Sequence, residues 1–179
     1  TLIGGLAGDA LTDADFNVAV GSHALTADTL GSKSIAIGHS ALENQNFTTA
    51  TETYNIAIGD NAGLAVTTGT QNTLIGGLAG DNLNTSEKNV AVGYLSLSGE
   101  DSHGQNTAVG WSTLAVQNAG ATGNNTAVGY NAGAAVTTGT GNTLLGGAAG
   151  DALLASADNV AVGYLSLSTE TGGQNNVAV

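Results

Sequence analysis

Apolar and polar positions alternate in one short phrase that returns along the whole chain. In Asn17-Val18-Ala19-Val20-Gly21, Val18 and Val20 share one face of an extended segment, and Ala19 and Gly21 share the other. Ile56 and Ile58 are set against Ala57 and Gly59 in the same way. The phrase occupies 17–21, 34–38, 55–59, 72–76, 89–93, 106–110, 125–129, 142–146 and 159–163, with Ser34 once replacing the leading Asn. Partial copies stand at Thr1-Leu2-Ile3-Gly4 and Asn176-Val177-Ala178-Val179. The closing glycines lie at 4, 21, 38, 59, 76, 93, 110, 129, 146 and 163, so successive gaps are 17, 17, 21, 17, 17, 17, 19, 17 and 17 residues. A period of this size predicts stacked coils that chiefly contact their neighbours. The expected fold is all-β, a parallel β-solenoid (β-roll) of about ten coils of 17 residues. No segment with a helical period competes.

These strands are apolar or small on both faces, so both faces should be covered. The Ala/Gly face suits the inside of a thin coil. A 17-residue coil leaves little chain to cover the other face, and a second copy of the chain is the economical cover. The expected interchain core is Val18, Val20, Ile35, Ile37, Ile56, Ile58, Val90, Val92, Val109, Val128, Val160 and Val162. Threefold packing about a fibre axis would bury it, as would a dimer or flat lateral stacking. A second strand is expected after each glycine, as in Ser22-His23-Ala24-Leu25 and Tyr130-Asn131-Ala132-Gly133. A Thr/Gly-rich turn such as Val136-Thr137-Thr138-Gly139-Thr140-Gly141 would follow. The leading Asn residues, stacked at one corner, should form an amide hydrogen-bond ladder.

A longer period runs above the first. The residue four places after each motif glycine reads Gly8, Leu25, Leu42, Gly63, Gly80, Leu97, Leu114, Gly133, Gly150, Leu167. Four coils therefore make one unit, giving super-repeats 1–72, 73–142 and a partial 143–179 within a single solenoid segment 1–179. Both long coils fall in the same quarter, and their extra residues, within 43–54 and 117–124, are expected as surface bulges. The middle motif position is Leu at Leu2, Leu74 and Leu144, and in those coils the residue after the glycine is Gly5, Gly77 or Gly147. A volume trade between these two positions is the reading that follows.

Composition narrows the partners. Fourteen acidic residues stand against Lys33 and Lys88, for a net charge of -12, so no nucleic-acid track is expected. Anionic membranes would be repelled, and no apolar run is long enough for insertion. The absence of Cys rules out disulfide staples and thiolate metal sites. Because the chain opens and closes within a repeat, it is expected to be a segment of a longer fibre.

Candidate chemistry is sparse. His23 and His39 lie in neighbouring coils but in different columns, and His103 falls in a turn. No Ser/His/Asp set is read as tied to a repeat position, and neither catalytic residues, nor a resident metal, nor a cofactor is expected. Asp9, Asp81 and Asp151 share one column of the super-repeat, either as solvated turn carboxylates or as ligands of a structural calcium ion. Tyr94, Trp111 and Tyr130 hold one column in three consecutive coils, an aromatic stripe that could stiffen the rod or contact a glycan. Thr67-Thr68-Gly69-Thr70 and its later counterpart bring an ice-binding surface into consideration, although such threonines occur only in some coils.

The phrase Ser34-Ile35-Ala36-Ile37-Gly38-His39-Ser40-Ala41 resembles the head repeats of trimeric autotransporter adhesins, the YadA-like proteins. Asn124-Asn125-Thr126-Ala127-Val128-Gly129-Tyr130-Asn131-Ala132-Gly133 is similar to the related repeat region of bacteriophage tail fibres. The resemblance implies a homotrimer of left-handed coils, with Ala36 and Gly38 pointing into the roll and Ile35 and Ile37 packing towards other chains. It implies a structural role outside the cell: a rigid shaft or head segment on a virion tail or a bacterial surface. Adjoining regions would then engage a host cell-surface glycan or protein. A glycan-processing enzyme would need carboxylates converging across coils, which the repeat columns do not offer.

Overall fold

The structure, a computed structural model, describes residues 1–99 and 102–179. The strands are β1 (Leu2–Ile3), β2 (Val18–Val20), β3 (Gly31–Ser32), β4 (Ile35–Ile37), β5 (Thr51–Glu52), β6 (Ile56–Ile58) and β7 (Thr73–Ile75). They continue as β8 (Val90–Val92), β9 (Thr107–Val109), β10 (Thr126–Val128), β11 (Thr143–Leu145), β12 (Val160–Val162) and β13 (Val177–Ala178). Every strand except β3 and β5 joins one 11-stranded parallel sheet, in chain order. The protein is an all-β parallel solenoid of about ten stacked coils. At about 4.8 Å per coil, the stack is roughly 48 Å long.

Register follows the motif without a slip. Ala19, Ala36, Ala57, Leu74, Ala91, Ala108, Ala127, Leu144 and Ala161 pair in one file, all fully buried. The flanking residues point outward, and in the next file Ile3, Val20, Ile37, Ile58, Ile75, Val92, Val109, Val128, Leu145 and Val162 form an unbroken apolar rank. The file on the other side mixes Val and Ile with Thr73, Thr107, Thr126 and Thr143.

The expected second strand does not form. The residues after each motif glycine make a tight turn in which left-handed backbone recurs at every other position: His23 at φ 60° and Leu25 at φ 55°, Ser40 at 53° and Leu42 at 51°. The two left-handed residues of the turn send their N–H groups towards opposite ends of the rod, while the residue between them bonds back to the corner glycine. Thus the His23 N–H donates to Gly5 O in the preceding coil at 3.0 Å, and the Leu25 N–H to Ala41 O in the following one at 2.9 Å. These bonds repeat from coil to coil, so the turn satisfies its backbone axially, as a strand would. Among the described residues the only other sheet is the pair β3–β5, formed where the first long coil inserts its extra residues. Thr48, Thr49 and Ala50 at that insertion, and Gly120, Ala121 and Thr122 at the second, are exposed, as bulges should be.

The corner glycine is there for an axial reason. Gly21 has φ 137°, and a side chain on it would collide with Gly38 O of the next coil. The alternation of the strand phrase places this residue inside with Ala, but the obstacle is the neighbouring coil's backbone, not the opposite wall.

The column four places after the corner is left-handed in every coil, from Gly8 at φ 61° to Leu167 at 52°. A non-glycine residue there costs about 1–2 kcal/mol. Leu25, Leu42, Leu97 and Leu114 are each fully buried, a gain of about 1.5–3 kcal/mol that offsets the strain. Where this column is Gly, other side chains use the space. A side chain on Gly63 would start 2.7 Å from Leu74 Cδ1, and one on Gly80 would start 2.8 Å from Leu74 Cδ2. Leu144 stands in the same way between Gly133 and Gly150. The volume trade is therefore real but has a different partner from the expected one. Gly77 and Gly147 lie outside, beneath the rings of Tyr94 and Tyr164, and Gly5 faces open space.

Candidate functional site

Four features could carry function: the buried polar spine, the outward apolar rank, a groove, and the column directly after the corner glycine.

The spine is the asparagine ladder. Asn72 donates its backbone N–H to Asn55 Oδ1 (3.0 Å), and its Nδ2 to Ser86 O across the coil (2.8 Å). Its own Oδ1 accepts from the Asn89 backbone N–H at 3.0 Å. Asn125, Asn142, Asn159 and Asn176 continue the pattern. At Ser34 the ladder is replaced by a buried network. There Gln45 Nε2 donates to Asp28 Oδ2 (2.6 Å) and Ser34 Oγ (2.9 Å), while Asn55 Nδ2 donates to Gln45 Oε1 (2.8 Å). Asp28 Oδ1 accepts from the backbone N–H groups of Gly31 and Phe47. The second unit places Gln117 and Asn106 in the equivalent positions. Both are buried, yet among the described residues neither end of the Gln117 amide, nor Asn106 Nδ2, has a partner. Sequence reasoning missed this interior polar column; the signal was a residue seven places after the corner glycine, reading Leu11, Asp28, Gln45, Val66, then Leu83, with Gln117 and Val136 later.

The outward rank is open in the single chain. Ile58, Ile75, Val128 and Leu145 are 36–40% exposed. Val18, Val20, Ile35, Ile37, Ile56, Val90, Val92, Val109, Val160 and Val162 are half-buried, so all twelve expected interchain residues lie on the outside of the coil. Their inward neighbours are the fully buried alanines.

An open groove of about 800 Å³ runs across five coils, lined by Ala27, Asn44, Asn46, Ala65, Thr67, Asn82, Asn84 and Gly99. Part of its polar lining is already engaged: Asn44 Nδ2 donates to Leu64 O, Asn82 Nδ2 to Ser98 O, and Thr67 Oγ1 to Asn84 Oδ1. At a separate hollow, Lys33 binds Glu52 and Tyr54, which raises its pKa and lowers that of Glu52. Both charges are solvated, so the pair contributes little stability.

The column after the corner glycine has two chemistries on one backbone. In the second unit it carries Tyr94, Trp111 and Tyr130, with ring centroids 6.4 and 5.1 Å apart and planes at 24° and 11°. The rings stack on one another, so their inner faces are covered and the stripe offers mostly edges to a ligand. In the first unit the same column carries Ser22, His39 and Asp60 in consecutive coils. This Ser/His/Asp set does occupy a repeat position, contrary to the expectation from sequence. Its contacts are not those of a catalytic triad. His39 Nδ1 bonds Asp60 Oδ1 at 3.2 Å, but Ser22 Oγ bonds Nδ1 of His23 at 2.9 Å. A nucleophile needs its base at the hydroxyl with the acid behind that base, and here the two bonds belong to different histidines.

Among the described residues Asp81 and Asp151 each keep one buried carboxylate oxygen without a partner, and burial pushes the Asp81 carboxyl above its usual range. Asp9, their equivalent in the first unit, is exposed. Among the described residues no group of three or more His, Cys, Asp or Glu side chains is placed to hold a metal ion, and no helix is long and apolar enough to cross a membrane. Compared with family models, curated proteins and solved structures, the chain matches none.

Proposed function

We propose that this chain is a non-enzymatic, rigid segment of an extracellular surface fibre that assembles with copies of itself. The observation that carries this reading is the outward rank from Ile3 to Val162, apolar in every coil and open on the single chain. A sheet face of this kind demands a cover, and no other described part of the chain reaches it. In the assembly we favour, three left-handed coils pack about one axis with these ranks inside, as the resemblance to YadA-like heads implies. The rod holds a receptor-binding region away from its base. Backbone ladders resist bending, and three equal chains multiply weak contacts to a host-surface glycan or protein. The Asn-Asn-Thr-Ala-Val-Gly-Tyr-Asn-Ala-Gly phrase favours a phage tail fibre over a bacterial adhesin head. The net charge of -12 keeps neighbouring fibres apart. Small-angle scattering tests the assembly: an elongated particle of three times the 17.3 kDa chain mass supports it, and a monomer's mass rejects it.

The second reading is direct glycan binding along the Tyr94/Trp111/Tyr130 edge. The exposure of all three rings, 45–60%, favours it. If Trp111→Ala retains a glycan as well as the parent chain, this reading fails. An ice-binding surface or a glycan-processing site has no observation of comparable weight behind it.

A further inference from the structure

We propose that His23 and His39 form a two-histidine site for a divalent transition-metal ion, with Asp60 and Ser22 as its outer partners. The site is independent of the fibre reading.

Three observations converge on it. First, the imidazoles of two adjacent coils lie 6.1 Å apart, centroid to centroid, with planes at 71°. Two imidazoles sharing one ion at a metal–nitrogen distance of about 2.1 Å have centroids about 4.6–5.3 Å apart at right-angle or tetrahedral coordination and about 6.5 Å in the linear limit, so side-chain rotation closing this pair by about 1 Å brings both rings onto one ion. Second, each ring is held by Nδ1: His39 by the Asp60 carboxylate at 3.2 Å, and His23 by the Ser22 hydroxyl at 2.9 Å. Metal-bound histidines are oriented in this way, with the second nitrogen bonded to a carboxylate or other polar group and the first left for the ion. Nε2 of both rings is left without a hydrogen-bond partner among the described residues.

Third, the repeat supplies an internal control. Positions 22, 23, 39 and 60 correspond in the second unit to Tyr94, Leu95, Trp111 and Tyr130. The same backbone carries three stacked rings and a leucine there and four coordinating or orienting groups here. A spacer would have no use for replacing all four together. With two protein ligands the remaining positions belong to water, and imidazole ligands suit nickel, copper or zinc rather than calcium. The surplus negative charge of the chain concentrates cations around the site.

The test is a calorimetric titration of the whole chain with Ni²⁺ at about pH 7.5, since protons and metal compete for imidazole. Saturable binding of one ion per chain is expected, lost in both His23→Asn and His39→Gln and unchanged in His103→Gln. Asparagine suits position 23 because the backbone there is left-handed, at φ 60°. Asp60→Asn should weaken binding roughly tenfold, the effect of removing an outer partner. A second readout needs no variant: substoichiometric Ni²⁺ should broaden the ring NMR signals of His23 and His39 before those of His103. Absence of saturable binding, binding that survives both histidine substitutions unchanged, or uniform broadening of all three rings would overturn the proposal.

Discussion

Leu74 occupies the space that Gly63 leaves, its Cδ1 standing 2.7 Å from where a side chain on that glycine would begin. This pair explains the Gly, Leu, Leu, Gly order of the super-repeat. Leu74 fills the space left by Gly63 and by Gly80, so one strand leucine serves two adjacent coils that lack a leucine at the left-handed position.

The pair should be energetically coupled. Gly63→Ala forces a side chain into both left-handed backbone and the Leu74 methyl, a loss of about 2 kcal/mol or more. Leu74→Ala opens a cavity at a cost of about 2–5 kcal/mol. Combined, they should cost less than their sum by about 1 kcal/mol, because the second change relieves the clash of the first. Urea unfolding at one fixed protein concentration measures the cycle, and strict additivity would remove the packing explanation.

One position should respond in opposite ways in the two super-repeats. Gln117→Leu removes a buried amide with no partner at either end among the described residues and should stabilise by roughly 1–3 kcal/mol. Gln45→Leu leaves Asp28 Oδ2 and Asn55 Nδ2 without the bonds that Gln45 makes, and should destabilise by a similar amount. Melting temperatures of the two variants separate the cases, and shifts of the same sign would contradict this account.

The asparagine spine should be far more sensitive than the surface. Asn72→Ala deletes a side chain that donates to Ser86 O and accepts from the Asn89 N–H, leaving both buried and unpaired. A loss of about 2–4 kcal/mol is expected. Thr68→Ala, in an exposed turn, should change stability by less than about 0.5 kcal/mol. Comparable losses would mean that the ladder is incidental.

Burial raises the Asp81 carboxyl above the ordinary aspartate range, so its folded-state pKa lies above the unfolded one. The charged form is penalised in the fold, and the penalty is fully present above the folded pKa. It fades as pH falls through that value, when the group protonates in the folded state. Asp81→Asn should therefore raise the melting temperature relative to the parent at about pH 7, with the gap closing towards about pH 4. A gap that widens with acid would reverse the assigned cause.

The strand phrase, the 17-residue period and the asparagine ladder were legible in the sequence because alternation and stacking leave a direct mark on residue type. The turn after the corner was not. Leu25, Ser40 and Leu42 are poor candidates for left-handed backbone, and axial hydrogen bonding between coils, with burial of the leucines, offsets its cost. Leu74 and Gly77 co-occur along the chain, whereas the glycines whose space Leu74 takes are Gly80 in its own coil and Gly63 in the preceding one. The Ser22/His39/Asp60 column was visible as a list of residues. Its meaning depended on which nitrogen of each ring is engaged, which spacing alone does not reveal.

The central claim is that the outward Val/Ile rank is covered by copies of the same chain, and sedimentation of the Val128→Asp variant tests it most directly. Val128 lies outside the coil beside the buried Ala127, so the substitution should leave the single chain folded. We expect the parent chain to sediment at three times its 17.3 kDa mass, and the variant as a folded monomer with an unchanged circular dichroism spectrum. A parent that sediments as a monomer at every concentration, or a variant that keeps the parent's mass, would contradict the account.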